Sequence, residues 1–394
     1  MSSSGLNFVE RYEHVLDLSD RARSLGLALC RAQRHFGDFF LKTLLARVAG
    51  QVFWLHVALA KKVELLGPLS ARLQFSRRSV TAEPPTLKRF QSELSAINKS
   101  LRKLRKSARN HVDTSLEFLA ADALTRLEDC FAEIELWIDD GPTPVTMLAA
   151  SDGLLRDCIL YEQTGPARKG NELRDRILQK DSIRALYLSA NAYLELSAVD
   201  IVSDLILIVD AERPNGFQSL IADLARQLVD EVRHAELLAN RVADMGFEFG
   251  CAPVTLHSWR AYNSVNTLPE KLAMQHVLQE GVGLDASARN VKKLQDIGDL
   301  KSADLYAQIV ADEMNHVRLG TRWLKRLVGR RMWKVVAKVE DVSKQIDPLP
   351  SIPIAVELRL ACGFSRNYVS NRRLAHGAQD LKDHLPQWHN NCDT

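Results

Sequence analysis

The sequence predicts an all-α protein, and two observations carry the prediction. The first is where proline falls. A proline inside a helix removes a backbone hydrogen bond and clashes with the preceding turn, and the 13 prolines of this 394-residue chain leave 1–67, 86–141, 167–213, 215–252 and 270–347 free of them. The second is periodicity. Within those stretches apolar residues recur at three- and four-residue intervals and do not alternate, as helices with one buried face require.

Composition narrows the class. With 46% apolar and 26% charged residues, the chain reads as an ordinary globular protein of two or three domains. Abundant Leu, Ile, Val and Phe argue against disorder, and 19 Gly without a repeat exclude a collagen-like chain. The 52 Lys+Arg against 49 Asp+Glu leave a formal charge of +3, which implies no general affinity for nucleic acid. The most apolar stretch, Phe39–Ala60, is interrupted by Lys42, Arg47, Gln51 and His56, so spanning a bilayer would bury charge. The opening MSSSGLNFVERYEHV lacks the basic-then-apolar layout of a secretion signal. Six scattered cysteines without a C-x-x-C pair suit reduced thiols. The expectation is a cytoplasmic protein that does not enter the membrane.

Residues 1–140 form the first expected domain. From Arg77 to Asn110 there are ten basic and two acidic residues, a net +8, while His111–Asp140 holds nine acidic and one basic residue, a net −8. Leu87, Phe90, Leu94, Ile97, Leu101 and Leu104 keep a 3-4-3-4-3 spacing that needs a partner helix, and Leu116, Leu119, Leu124, Leu127, Phe131 and Ile134 supply one. A charge-complementary hairpin follows. Nucleic-acid binding through residues 77–110 is the other reading of the basic run, but its charge is cancelled next door, and Phe90, its one aromatic within the helical seam, belongs to the apolar face.

A linker is expected over 141–171, where DDGPTP and TGPARKG stand. Four helices follow at about 172–210, 216–245, 268–294 and 299–328, as a second domain covering 172–330. Pro214-Asn215 opens the second helix, Gly246 closes it and Pro269 starts the third. Residues 331–394 are a C-terminal extension, which from Pro348 onward, with PLPSIPI and a His- and Asn-rich end, reads as irregular with a frayed terminus.

The chemistry lies in two matching words, Asp230-Glu231-Val232-Arg233-His234 and Asp312-Glu313-Met314-Asn315-His316. A Glu and a His three apart share one helix face and can offer a carboxylate and a neutral imidazole to one metal ion. Phase decides the matter. One apolar stripe runs Leu220, Leu224, Leu228, Glu231, His234, Leu238, and the other Leu305, Ile309, Glu313, His316, Trp323, so both pairs fall on buried faces. The remaining two helices each interrupt their stripes with one acid, Glu195 after Leu188 and Ala192, and Glu280 after Ala273 and Val277. Buried carboxylates need compensation, and a cation is the simplest source. Mixed oxygen and nitrogen donors without a thiolate suit iron or manganese.

This order, with the words NAYLELSAVDI, DEVRHAELL, QEGVGLDAS and DEMNHVRLGTRW, resembles the ferritin-like di-iron carboxylate proteins and an uncharacterised bacterial ferritin-like family. The resemblance implies a ferritin-like four-helix bundle with an additional N-terminal helical domain. It implies two iron ions, or Mn/Fe or Mn/Mn, held by Glu195, Glu231, His234, Glu280, Glu313 and His316, which are also the catalytic residues. Glu231 and Glu313, or one of them, would bridge, with Glu195 and Glu280 terminal. Asp230 and Asp312 are expected behind the ligands, each fixing the tautomer of the histidine on the opposite helix. His276 reads either as a seventh ligand or as a buried structural histidine, and Tyr193 points away from Glu195. Gly281 and Gly283 either relieve crowding or leave room beside the metals, and Glu236 reads as solvated.

The function expected is an O2-dependent di-iron oxygenase or oxidase acting on a small organic molecule with an external electron donor. A homodimer is compatible with it. The alternatives are a tRNA- or RNA-modifying di-iron hydroxylase, a ferroxidase, a dimanganese catalase, and a non-enzymatic interaction protein.

Overall fold

A computed structural model describes residues 8–33, 39–64, 86–139, 181–212, 217–247, 257–346 and 352–377. Among them there is no β-strand, and the protein is all-α. In chain order the helices are α1 (Phe8–Gln33), α2 (Phe39–Glu64), α3 (Leu87–Asn110), α4 (Thr114–Asp139), α5 (Asp181–Glu212) and α6 (Gln218–Asp244). The short α7 (His257–Asn263) and α8 (Leu268–Leu272) lead into a π-helical segment, Ala273–Gln279. Then come α9 (Glu280–Asp296), α10 (Leu300–Val328), a 3₁₀ turn Gly329–Arg331, α11 (Met332–Ile346), α12 (Val356–Ala361) and α13 (Arg366–His376).

The chain divides into two compact units, Met1–Arg156 with Val202–Val232, and Asp157–Ile201 with Arg233–Thr394. Two of its three boundaries, 201/202 and 232/233, fall inside the long helices α5 and α6. The linker expected at 141–171 lies outside the described residues.

In the first unit α1 packs on α2 and on α3, and α4 packs on α2 and α3. The expected seam is present: Phe90, Leu94, Ile97, Leu101 and Leu104 of α3 are buried, as are Leu116, Leu124, Leu127 and Ile134 of α4. Charges meet across the hairpin, with Arg102 2.8 Å from Glu128 and Arg109 2.6 Å from Glu117. Lys103 and Lys106 are exposed and Arg105 is half-buried. Helix α2 is apolar and long enough to cross a membrane by composition, over Phe39–Val63 with a mean hydropathy of 1.4, yet 78% of that window is buried inside the protein. Its Gly50 lets the α6 segment come close: a Cβ there would stand 2.3 Å from a Val229 methyl and 3.2 Å from the Ala225 carbonyl oxygen. Cys30, Cys130 and Cys362 are buried and outside any disulfide, and burial pushes the Cys130 thiol up to about 12 and the Cys362 thiol up to about 11.

In the second unit α9 and α10 pack along each other, and the π segment touches α10 and α11. One knot fixes the start of α10. Asp299 caps it, accepting from the Ser302 N–H at 3.1 Å and the Ser302 hydroxyl at 2.8 Å. The same carboxylate takes Arg184 of α5 at 2.8 Å and Arg241 of α6 at 2.9 Å. Three helices are thereby set in register at one carboxylate. Burial pushes the Asp299 carboxyl up, but the Ser302 hydrogen bonds and the two guanidinium groups outweigh it and hold it below the usual range.

The expectation of an irregular extension from Pro348 onward is overturned over Val356–Ala361 and Arg366–His376, which are helical. Helix α11 buries Met332, Val336 and Val339, whose four- and three-residue spacing continues a helical face. Helices α12 and α13 then pack together. The tail beyond Gly377 lies outside the described residues.

Two outcomes are expected. Gly50→Ala lowers stability by about 1 to 3 kcal/mol through overpacking, part of which Val229→Ala restores in the double variant, as read by thermal denaturation. Asp299→Ala lowers stability by about 2 to 4 kcal/mol at neutral pH, since it removes a cap and strips two arginines of their partner. Because the folded acid is held low, that stabilisation is present above the unfolded value, about pH 4, and fades as pH falls through the folded one. The gap between parent and variant melting temperatures therefore narrows below about pH 4.

Candidate metal centre

All six side chains singled out in the sequence converge. Ligand atoms of Glu195 (α5), Glu231 and His234 (α6) and Glu313 (α10) lie within 4.8 Å of one another. So do those of Glu231, Glu280 (the first residue of α9) and His316 (α10). Glu231 belongs to both groups, and it stands one turn from His234 on an uninterrupted helix, so their joint orientation is set by helix geometry. Glu231, His234, Glu280, Glu313 and His316 are buried, and the Glu195 side chain is 17% exposed.

The spacings have a pattern. His234 Nδ1 is 3.6 Å from Glu195 Oε2 and 3.8 Å from Glu313 Oε1, and His316 Nδ1 is 3.5 Å from Glu313 Oε2. These distances are long for hydrogen bonds. Two ligand atoms each about 2.1 Å from one ion stand roughly 3 to 4 Å apart, which is the range seen here. The two Glu313 oxygens face different histidines, and Oε2 is buried without a hydrogen bond. Oxygen and imidazole donors with an unsatisfied buried carboxylate oxygen suit a divalent cation, so the residues present fit one.

A second layer orients the first. Asp312 Oδ2 lies 3.1 Å from His234 Nε2 and 2.6 Å from an Arg233 guanidinium nitrogen. With the proton on Nε2 donated to Asp312, the Nδ1 lone pair turns toward the carboxylates. Burial alone would raise the Asp312 carboxyl, but His234 and Arg233 outweigh it and hold it low. Asp230 is half-buried in α6, and Glu236, expected in solvent, is half-buried too.

Two amides escaped the sequence reading. Gln227 Nε2 donates to Glu231 Oε1 at 2.9 Å, and Gln275 Nε2 donates to Glu280 Oε1 at 2.6 Å. The first pair is four apart on an α-helix. The second is five apart, and it meets because 273–279 is π-helical where a continuous α-helix was expected; the Glu280 N–H also bonds to the Gln275 carbonyl. The π segment carries His276, which is fully buried and is not among the converging ligand atoms. It lies against Gly320 of α10, where a Cβ would meet His276 Cβ at 2.1 Å.

The π segment is held from the C-terminal side. Arg359 of α12 donates from Nη1 to the Val277 carbonyl at 3.3 Å and pairs with Asp285 of α9 through Nη2 at 2.7 Å and Nε at 3.1 Å. Both partners are buried. Burial alone would lower the guanidinium, but Asp285 more than offsets it and Arg359 stays charged. Gly281 makes room for that guanidinium, since a Cβ would stand 1.9 Å from Nη1, whereas a Cβ at Gly283 would meet nothing within 4 Å. Crowding thus explains the first glycine and open space surrounds the second.

A polar chain flanks Glu195. Tyr187 donates to Asn290 Oδ1 at 3.0 Å, and Asn191, one turn before Glu195, donates to the Tyr306 oxygen at 2.7 Å. Burial first, then Tyr187 and Glu195, push the Tyr306 hydroxyl well above its usual value, so it remains protonated. Tyr193 is half-buried, two residues from Glu195.

The sequence pattern of the family described as "Protein of unknown function (DUF455)" matches residues 163–370, over half of the chain. The chain belongs to the DUF455 family. The DUF455 match spans all six converging ligands together with Gln227, Gln275, Asp285, Asp312 and Arg359, and leaves α1–α4 outside. No curated protein and no solved structure matches the chain.

Arg359→Met is expected to lower stability by about 3 to 5 kcal/mol, because it strands the Asp285 charge in the interior. Arg359→Met with Asp285→Leu should lose less than the single variant in thermal denaturation, and the reverse order would show the pair to be more than an internally compensated charge.

Proposed function

We propose that this DUF455 chain is a ferritin-like di-iron carboxylate protein, with α5, α6, α9 and α10 as its bundle, that works as an O2-dependent oxidase or oxygenase on a small organic substrate. The observation that carries the reading is the pair of converging groups joined by Glu231. Glu195, Glu231, His234 and Glu313 would hold one iron and Glu231, Glu280 and His316 the other, with Glu313 facing both histidines. Two irons so held supply the redox chemistry by which dioxygen is activated.

The chain's own residues do the rest. Gln227 and Gln275 fix the orientation of Glu231 and Glu280, and Asp312 keeps His234 in the tautomer that presents Nδ1. The surrounding Leu, Val and Ala side chains exclude water, so a carboxylate there acts at low dielectric. Glu195, the most exposed of the six, marks the side open to solvent, and Tyr306 beside it keeps its proton. A ferroxidase or a dimanganese catalase would use the same donors. Exposure of Lys103 and Lys106 would favour RNA modification, but Arg102 and Arg109 of the same helix are engaged by glutamates of α4.

Elemental analysis of protein from iron-rich medium should find about two irons per chain. Glu231→Ala and His316→Ala should each remove most of it, and a metal content near zero in the parent defeats the reading. Asp312→Asn should weaken metal affinity about 10- to 100-fold while leaving the far-ultraviolet spectrum unchanged. The reduced, iron-loaded protein should consume oxygen, faster with substrate. Oxygen evolution from peroxide by a manganese-loaded protein would replace the oxidase by a catalase.

A further inference from the structure

Between Arg318 and Lys338 the chain holds eight Lys and Arg and no Asp or Glu. The stretch covers the end of α10, the 3₁₀ turn and the first half of α11. Lys325, Arg326, Arg330, Arg331 and Lys334 are all exposed. Among the described residues none of the five has a carboxylate partner, in contrast to Lys338, which is bound to Glu270, and to Arg102 and Arg109 of α3, which are matched by α4.

Local stability explains only part of this. Lys325 and Arg326 sit in the last turn of α10, where a cation complements the helix dipole. Arg330 and Arg331 end the 3₁₀ turn between α10 and α11, and Lys334 lies in the first turn of α11, which contains no acid. The dipole of α11 is unfavourable to a cation at its start, and like charges this close in the chain repel one another. Cations crowded together, exposed and without a carboxylate among the described residues are arranged for something outside the chain.

The rest of the patch narrows that ligand. No large hydrophobic residue is exposed between 318 and 338, so the surface lacks the apolar anchor of a protein interface or the insertion face of a membrane-binding helix. It also lacks a stacking platform for unpaired bases. Trp323 is buried with Arg326 over its ring at 5.0 Å, and Trp333 is stacked on Tyr368 at 4.9 Å. What remains is dense cation chemistry, rich in arginine forks that suit phosphate oxygens.

We infer that the α10–α11 junction, through Lys325, Arg326, Arg330, Arg331 and Lys334, binds the phosphate backbone of a double-helical nucleic acid, without reading its sequence. This goes beyond the dimetal reading and stands whether or not that reading holds, because it uses none of the converging ligands.

The test is fluorescence anisotropy of the full chain with a labelled RNA duplex and with the DNA duplex of the same sequence, over a series of salt concentrations. Binding should weaken with salt with a log–log slope of about −3 or steeper. Arg330→Gln with Arg331→Gln and Lys334→Gln should weaken binding at least about tenfold and flatten the slope by roughly 2 to 3. Lys99→Gln with Lys103→Gln and Lys106→Gln, on α3, should change affinity by less than about twofold. Binding of only one duplex type supports the site and names its acid. Binding of neither, parent-like affinity in the α11 variant, or tighter patch-dependent binding to phosphatidylserine vesicles overturns it. The α11 variant should also keep or raise the melting temperature, and a fall would assign the three cations to stability instead.

Discussion

Charge turned inward is the constraint on which the structure depends. Glu231, Glu280 and Glu313 lie in an interior built from Leu, Val and Ala, and Glu195 stands at its edge. A buried carboxylate is tolerated only with compensation, and the neighbourhood is organised around supplying it. Each long helix carries its acid where a leucine would otherwise complete the stripe. Amides, imidazoles and a further aspartate then fill the surrounding positions with hydrogen-bond partners of defined direction.

The same constraint accounts for the irregularities. A regular α-helix through 273–279 would leave Gln275 on a different face from Glu280, and the π turn aligns them. A π turn disturbs the pairing of its carbonyls, and Arg359 reaches in to bond one of them, at Val277. That arginine is buried, so Asp285 is buried with it, and Gly281 has no side chain so that the guanidinium can lie there. Gly320 does the same for His276. One departure from helical regularity is thus supported by five residues spread over three helices and the π segment itself.

Legibility in the sequence followed periodicity. Helices α1–α6 and α10, the apolar hairpin seam and the six inward-facing ligands could all be read because each repeats at three or four residues. Asp312 was readable for the same reason, as the neighbour of a phased ligand. What escaped has no local signal. Asp285 and Arg359 are 74 positions apart, and their pairing is a fact of tertiary packing. The π turn changes the residue count per turn without changing composition, so Gln275 looked out of phase. Tyr306 was hidden beside Leu305, which matched the stripe better, although its distance of seven residues from Glu313 marks the same face. The short helices α12 and α13 were missed because the three prolines between 348 and 353 and the polar end beyond them outweighed the little helical spacing between.

Glu231 belongs to both converging groups, and that membership has a thermodynamic meaning. Two sites with separate ligands fill independently, each with its own affinity. Two sites that share a carboxylate do not, because whatever orders that side chain for one group orders it for the other. Such coupling is reciprocal by necessity: the first occupant alters the affinity for the second by the same factor as the reverse. Under the dimetal reading the two sites would therefore be coupled through one side chain, held in place from Gln227.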